Sequence, residues 1–224
     1  STAGENQTSR CWAELISWEP RAFVYHNFLS KTECEHLISQ AKPQLARSKV
    51  FCSETRMNIE SRLSNRTSSQ GSVGSSNVVT DIEKRIADFT SIPVENGERL
   101  HVVHYEVGQK FEPHFDYSPS DYYDKTGGAR AASVLMYLSD VEEGGETVFP
   151  FAKPIDYSSS SEKKRKRLGL SVKPKMGDAL VFWNIKPDGN VDPCSKHAGS
   201  AVIKGDKWLA LNFMRVNKRK VQNG

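Results

Sequence analysis

The second half of the chain most constrains the fold. From Leu100 onward, segments of strand length follow one another: Leu100–Val107, Lys110–Tyr117, Ala132–Ser139, Thr147–Phe151, Gly169–Lys173, Ala179–Asn184, Ala198–Lys204 and Trp208–Val216. Their β-branched and aromatic content and short length mark them as strands. Gly108-Gln109 predicts a hairpin turn between the first two, and Glu142-Glu143-Gly144-Gly145 is a second turn. A run of strands after a helical region predicts an α+β protein. Its core is a two-sheet β barrel or jelly roll, buttressed by N-terminal helices.

The first half supplies those helices. Residues 1–20 read as a polar N-terminal extension with Trp12 and Trp18 as anchors. Arg21–Leu29 reads as a strand. Ser30 and Glu33 have capping-box spacing, Cys34, Leu37, Ile38 and Ala41 keep helical period, and Pro43 ends the helix. Lys49–Cys52 is a short strand. Residues 53–77 are rich in Ser, Asn, Arg and Gly, which predicts a long loop, either a flap or plain disorder. Asn77 caps a second helix to Ile92, with Val78, Ile82, Ile86 and Phe89 on one face. Residues 158–167 form a second loose, charged loop. With 224 residues and no internal repeat, residues 1–224 form a single domain.

Composition narrows the partners. The net charge is +4, from 31 basic and 27 acidic residues, which is too balanced for a nucleic-acid binder. The run Lys163-Lys164-Arg165-Lys166-Arg167 reads as a solvated loop, a polyanion or nuclear-import patch being the sharper alternative. No apolar run approaches the ~18 residues of a membrane span, so no membrane contact is expected. The N-terminus lacks a signal-peptide pattern, so the chain is cytosolic or a leader precedes it. The cysteines Cys11, Cys34, Cys52 and Cys194 contain no Cys-x-x-Cys, which argues against a zinc ribbon and leaves one or two disulfides open. The sequons Asn6-Gln7-Thr8 and Asn65-Arg66-Thr67 lean towards a secretory compartment.

Candidate chemistry begins at Lys110–Tyr117. His114 and Asp116 are two apart, and in a strand i and i+2 share a face. With His197 downstream they compose two imidazoles and a carboxylate, the facial triad of non-haem Fe(II) with positions left open. A catalytic zinc with Glu112 as general base is the competing reading. Alone, each histidine reads equally well as structural. Lys207 adds weight, because Lys207, Leu209, Leu211, Phe213 and Arg215 share one face of a strand. Burying that ammonium calls for an anion, which the distal carboxylate of a 2-oxo diacid would supply. A lysine whose stem lies on apolar surface with its head in water is the bland alternative.

Taken together the motifs resemble the prolyl 4-hydroxylase family of Fe(II)/2-oxoglutarate dioxygenases, in its plant, algal or collagen-type catalytic domains. The matches include Arg66-Thr67-Ser68-Ser69, His104-Tyr105, Gly108 to Asp116, Leu135-Met136-Tyr137-Leu138, Glu142 to Thr147, Lys175 to Leu180, His197 and Gly205-Asp206-Lys207-Trp208. The resemblance implies a double-stranded β-helix with His114, Asp116 and His197 on iron. It implies that Lys207 pairs with the distal carboxylate of 2-oxoglutarate, helped by Tyr105 and Thr147. Arg130 is implied to contact peptide, and Arg66–Ser69 to form a flap over it. The aromatics Tyr117, Tyr122, Tyr123 and Trp183 suit a groove for a polyproline II peptide, which needs little ordering to bind.

Two departures bear on peptide preference. The family commonly has Tyr where this chain has Phe111, and its terminal Trp-x-His reads Phe213-Met214-Arg215 here. The implied activity is of the procollagen-proline 4-dioxygenase type, forming 4-hydroxyproline as 2-oxoglutarate and O2 become succinate and CO2. Ascorbate is the implied rescuer of oxidised iron. The resemblance further implies a monomer working on proline-rich proteins in the endoplasmic reticulum lumen. A different 2-oxoglutarate dioxygenase substrate (another amino-acid side chain or a nucleic-acid base) is the alternative.

Overall fold

The computed structural model describes residues 10–52, 57–60, 66–117, 127–155 and 169–219. In chain order the elements begin with β1 (Trp12–Glu19), β2 (Arg21–His26), α1 (Lys31–Ala41), β3 (Ala46–Arg47), β4 (Lys49–Cys52), β5 (Met57–Glu60), β6 (Ser69–Ser72) and α2 (Asn77–Thr90). Then come β7 (His101–Tyr105), β8 (Phe111–His114), β9 (Arg130–Tyr137), β10 (Glu143–Gly144), β11 (Thr147–Phe149), β12 (Lys153–Pro154) and β13 (Leu170–Val172). The chain finishes with β14 (Ala179–Trp183), β15 (His197–Gly199), β16 (Val202–Lys204) and β17 (Lys207–Arg215).

A nine-stranded sheet in the order β12-β1-β2-β14-β9-β17-β7-β6-β3 faces a four-stranded sheet in the order β13-β11-β15-β8, the arrangement of a jelly roll. Strand alternation decides which side chains meet. On β9, Ala132, Val134 and Met136 pack under the helices, while Leu135 and Tyr137 point between the sheets. On β17, Trp208, Ala210 and Met214 face the helices and Leu209 faces inward. The helices complete the outer layer through Cys34, Leu37 and Ala41 of α1 and Val79, Ile82 and Ile86 of α2. Both halves of the Ser30–Glu33 capping box form. Glu33 also pairs with Arg85, whose Nη1 donates to Phe28 O at 2.7 Å, tying α1 to α2.

Several expectations change. Residues 12–19 are not an extension but β1, paired with β2 and β12, its exposed face explaining its polar sequence. Trp12 and Trp18 are 53% and 62% exposed, so neither is a buried anchor, although Trp12 stacks on His26. Leu100–Val107 and Lys110–Tyr117 do not form a hairpin with each other. β7 pairs with β6 and β17, whereas β8 pairs with β15, so the turn at Gly108 carries the chain from one sheet to the other. Within the expected loop 53–77, β6 is a paired strand and Met57–Glu60 pairs with β4. The cap of α2 is Ser76, which accepts from Val79 N, and the helix ends at Thr90. Its buried stripe is Val79, Ile82, Ile86 and Thr90, with Val78 and Phe89 at the margins. The expected strand 198–204 is two strands, β15 and β16, in different sheets. Cys11, Cys34 and Cys194 are unbridged. Residues 158–167, the basic run and the sequon residues Asn6 and Asn65 lie outside the described residues.

Candidate active site

His197 opens β15 and His114 closes β8, and the two are direct partners in an antiparallel ladder. Their ring centroids lie 4.3 Å apart. Asp116 lies just past the end of β8, in a bend rather than in the strand where it was expected. It converges all the same: His114 Nε2 is 3.7 Å from Asp116 Oδ1 and His197 Nε2 is 3.6 Å from Oδ2. One ligand atom from each residue lies within 4.8 Å of the others. What turns Asp116 inward is Ser133, whose Oγ donates to Oδ2 at 2.6 Å, together with Arg130, whose Nη1 donates to the Asp116 carbonyl at 3.3 Å.

The protonation pattern suits a cation. His114 Nδ1 donates to Glu112 O at 2.8 Å and His197 Nδ1 donates to Ser195 O at 3.0 Å. With Nδ1 committed as the donor, Nε2 is the nitrogen each ring turns towards the site. Burial, with His197 alongside, lowers the His114 pKa to about 3. Burial alone would raise the Asp116 carboxyl, but His197, His114, Arg130 and the Ser133 hydrogen bond outweigh it and hold it below the usual carboxylate value. Neutral imidazole and ionised carboxylate are the forms that bind a divalent metal. Glu112 is half-exposed and its carboxylate pairs with Lys110 at 2.5 Å, so the sequence-level zinc reading finds its general base turned to the surface.

Lys207 opens β17 and is 2% exposed. Its Nζ donates to Gly145 O at 2.6 Å and lies 5.4 Å from the Tyr105 ring and 6.0 Å from the Tyr137 ring. Among the described residues no carboxylate forms an ion pair with it, and burial, only partly offset by the more distant Glu146, lowers its pKa to about 8. A desolvated ammonium without an anionic partner is costly. Around it stand Tyr105, bonded to Ser68, and Thr147, whose Oγ1 shares a 2.9 Å hydrogen bond with Tyr137 Oη. Gly144 and Gly145 both take positive φ, which turns the Gly145 carbonyl onto Lys207; a Cβ on Gly144 would meet Ala201 O at 2.3 Å. The donor set therefore fits Fe(II), and the lysine with its hydroxyl neighbours fits the distal carboxylate of a 2-oxo diacid.

The remaining candidates form two cation–ring pairs, one of them stacked on His114. Phe111 stacks on His114 with centroids 3.6 Å apart, and the Arg66 guanidinium lies over Phe111 at 4.8 Å. Arg130 lies over Phe213 at 3.7 Å and forms a bidentate pair with Glu98, which also accepts from Arg215. Residues 66–69 are not a free flap: Thr67 N donates to Lys110 O, Lys110 N donates to Thr67 Oγ1, and Ser68 is bonded to Ser48. Trp183 is not in the groove. Alternation on β14 turns Phe182 towards His197 and Trp183 to the other face, against Phe23 and Arg21. Tyr117 packs on Phe115, and Tyr122 and Tyr123 lie outside the described residues. Sequence reasoning missed Ser133, Asn184, Tyr137 and Glu98. A serine inside the apolar run Ala132–Leu138 was the one available signal.

A jelly roll holding two histidines and an aspartate beside a buried, unneutralised lysine defines the class of 2-oxoglutarate-dependent non-haem iron oxygenases. Comparison with known proteins agrees, since the model of the 2OG-Fe(II) oxygenase superfamily matches residues 100–215. Probable prolyl 4-hydroxylase 10 of Arabidopsis thaliana is 53% identical over 214 residues, 94% of this chain and 74% of that protein. Prolyl 4-hydroxylase 5 of the same plant is 52% identical over 227 residues, 99% of this chain and 77% of that one. The viral collagen prolyl hydroxylase of Paramecium bursaria Chlorella virus-1, solved as its 2OG complex, superposes with a TM-score of 0.63 at 26% identity, covering 87% of this chain and 95% of that one. A prolyl hydroxylase of Trichoplax adhaerens, in complex with a hypoxia inducible factor peptide fragment, shares the fold at 14% identity and a TM-score of 0.58, covering 87% of this chain and 83% of that one. The chain belongs to the prolyl 4-hydroxylase family of 2OG-Fe(II) oxygenases.

Proposed function

We propose that this enzyme hydroxylates C4 of peptidyl proline in proline-rich proteins. The observation that carries the reading is the His114–Asp116–His197 cluster set in one fold with the buried cation of Lys207. Bound Fe(II) with 2-oxoglutarate and O2 supplies the oxidising power that converts C–H to C–OH, the cosubstrate leaving as succinate and CO2. The protein's part is placement. His114, Asp116 and His197 would hold the metal with two imidazoles and a carboxylate. Lys207, Tyr105 and Thr147 fix the far end of the diacid, which sets the direction of its 2-oxo end. Phe149 and Phe182 press on His197 and keep water from that side. Phe111, held between His114 and Arg66, and Phe213, buried under Arg130, shape the ground beneath a polyproline II peptide rather than stacking on it.

The finer assignments belong to the same reading. A collagen-like rather than another proline-rich substrate would make this a procollagen-type enzyme; Phe111 and Phe213, at positions that bound the groove, are where that choice is made. The two sequons support work in the endoplasmic reticulum lumen; that this chain acts as a monomer, makes no membrane contact of its own and draws on ascorbate to restore oxidised iron belongs to the same proposal. No helix among the described residues is long and apolar enough to cross a membrane. The test is succinate release and hydroxyproline formation with poly-proline and collagen-like peptides. Turnover of 2-oxoglutarate without hydroxyproline on any proline peptide overturns the substrate assignment.

A further inference from the structure

Two of the three metal-binding side chains are joined by a buried chain of hydrogen bonds running behind the site. Ser133 Oγ donates to Asp116 Oδ2 at 2.6 Å, and Asn184 Nδ2 donates to Ser133 Oγ at 2.9 Å. The Asn184 carbonyl accepts from Asp192 N at 2.8 Å. The Asp192 carbonyl accepts from Ser195 N at 3.0 Å and from Ser195 Oγ at 2.7 Å. The Ser195 carbonyl accepts from His197 Nδ1 at 3.0 Å. Ser133, Asn184 and Ser195 are fully buried and Asp192 nearly so.

Donor bookkeeping gives the chain a direction. The ionised Asp116 carboxylate only accepts, so Ser133 gives it the one hydroxyl proton. Ser133 Oγ can then only accept from Asn184, so the amide must present its NH2 end whichever way it was first placed. The opposite end, Asn184 Oδ1, is buried and meets no donor among the described residues. At its backbone, Asn184 is clamped by Ala131 O, which accepts from Asn184 N at 2.8 Å, so the side chain has a fixed base.

We propose that Ser133 and Asn184 are positioning residues for the metal site. They hold the Asp116 carboxylate in the rotation that leaves a lone pair for the cation, and Asn184 ties that placement to the turn that orients His197. The proposal rests on the reading of Asp116 and His197 as metal ligands.

The test is Mn(II) binding to the metal-free full chain, followed by electron paramagnetic resonance, with melting temperature read in parallel. Ser133→Ala and Asn184→Ala are expected to weaken Mn(II) by about 10–100-fold, as loss of groups behind a ligand does elsewhere. Ser133→Thr, which keeps the hydroxyl, restores near wild-type affinity. Wild-type Mn(II) affinity in a folded Ser133→Ala overturns the proposal and leaves the proposed function standing. Failure of the unaltered chain to bind Mn(II) or Fe(II) overturns both. Should Ser133→Ala not fold, Ser133→Cys, close in shape but a weak donor, gives the same comparison.

Discussion

His114 and His197 sit opposite one another on antiparallel strands, 4.3 Å between ring centroids, so a single ladder register delivers two of the three ligands. Opposed residues in such a pair put their side chains on the same face within a few ångströms. Only the carboxylate has to be brought in by other means. That division makes the site robust on one side and dependent on side-chain hydrogen bonding on the other.

Replacing either histidine removes a ligand that no neighbour can supply. His114→Ala or His197→Ala is expected to lose bound iron and to drop succinate release to background. Metal content by atomic absorption, beside circular dichroism to show an intact fold, checks it. Retained turnover in His114→Ala would falsify the triad.

Lys207 sets an upper pH limit on cosubstrate capture. Its folded pKa, about 8, lies below the ordinary lysine value of 10.5 because of burial. The anion needs the protonated amine, so the KM for 2-oxoglutarate is flat below about pH 8 and rises about tenfold per unit above it. The stability term has the opposite sense. The unfolded chain binds more protons between about 8 and 10.5, so this lysine's burden on the fold is full below 8 and relieved as pH climbs through that window. Steady-state KM and melting temperature across pH 7–10 separate the two.

Lys207→Met exchanges a buried cation for an apolar chain of similar length. Cosubstrate affinity is expected to fall by about 2–5 kcal/mol, while the melting temperature of the unliganded protein stays level or rises. Calorimetric titration with 2-oxoglutarate and a thermal melt on the same sample check both halves. A large loss of stability would contradict the reading of this residue as an uncompensated charge.

Leu37 lies at the centre of the helix-to-sheet layer with no exposed surface. Leu37→Ala is expected to cost about 2–5 kcal/mol of stability and to leave kcat and both KM values of the folded fraction unchanged. Chemical denaturation and steady-state kinetics on one preparation decide it. Altered KM values would mean that the helices shape the site and not merely support its floor.

Much of this site was legible before any coordinates. The alternation from Lys207 to Arg215 is a local pattern and holds in β17, whereas the i, i+2 strand argument for His114 and Asp116 picked the right residues for a reason the fold does not use, since Asp116 lies in a bend past β8. What alternation cannot say is which strand lies next door. Gly108 signals a turn, but the chain there crosses between sheets, because β7 and β8 find better partners in β17 and β15. Ser76 and Asn77 are both good capping types, so a one-residue shift of α2 was invisible. Ser133 and Asn184 are joined only by the sheet, and no spacing rule links them to Asp116.

Strand β17 holds one more lesson. It runs without a bulge from Lys207 to Met214, and its single register shift falls between Met214 and Arg215. Six steps of unbroken strand, about 20 Å at ~3.4 Å each, separate Lys207 from Phe213. On the proposed function, that stretch is a fixed ruler between the two reactants: changes beyond its irregular end would re-cut the peptide side while the grip on the diacid stays where it is, whereas a residue inserted within it would move both at once.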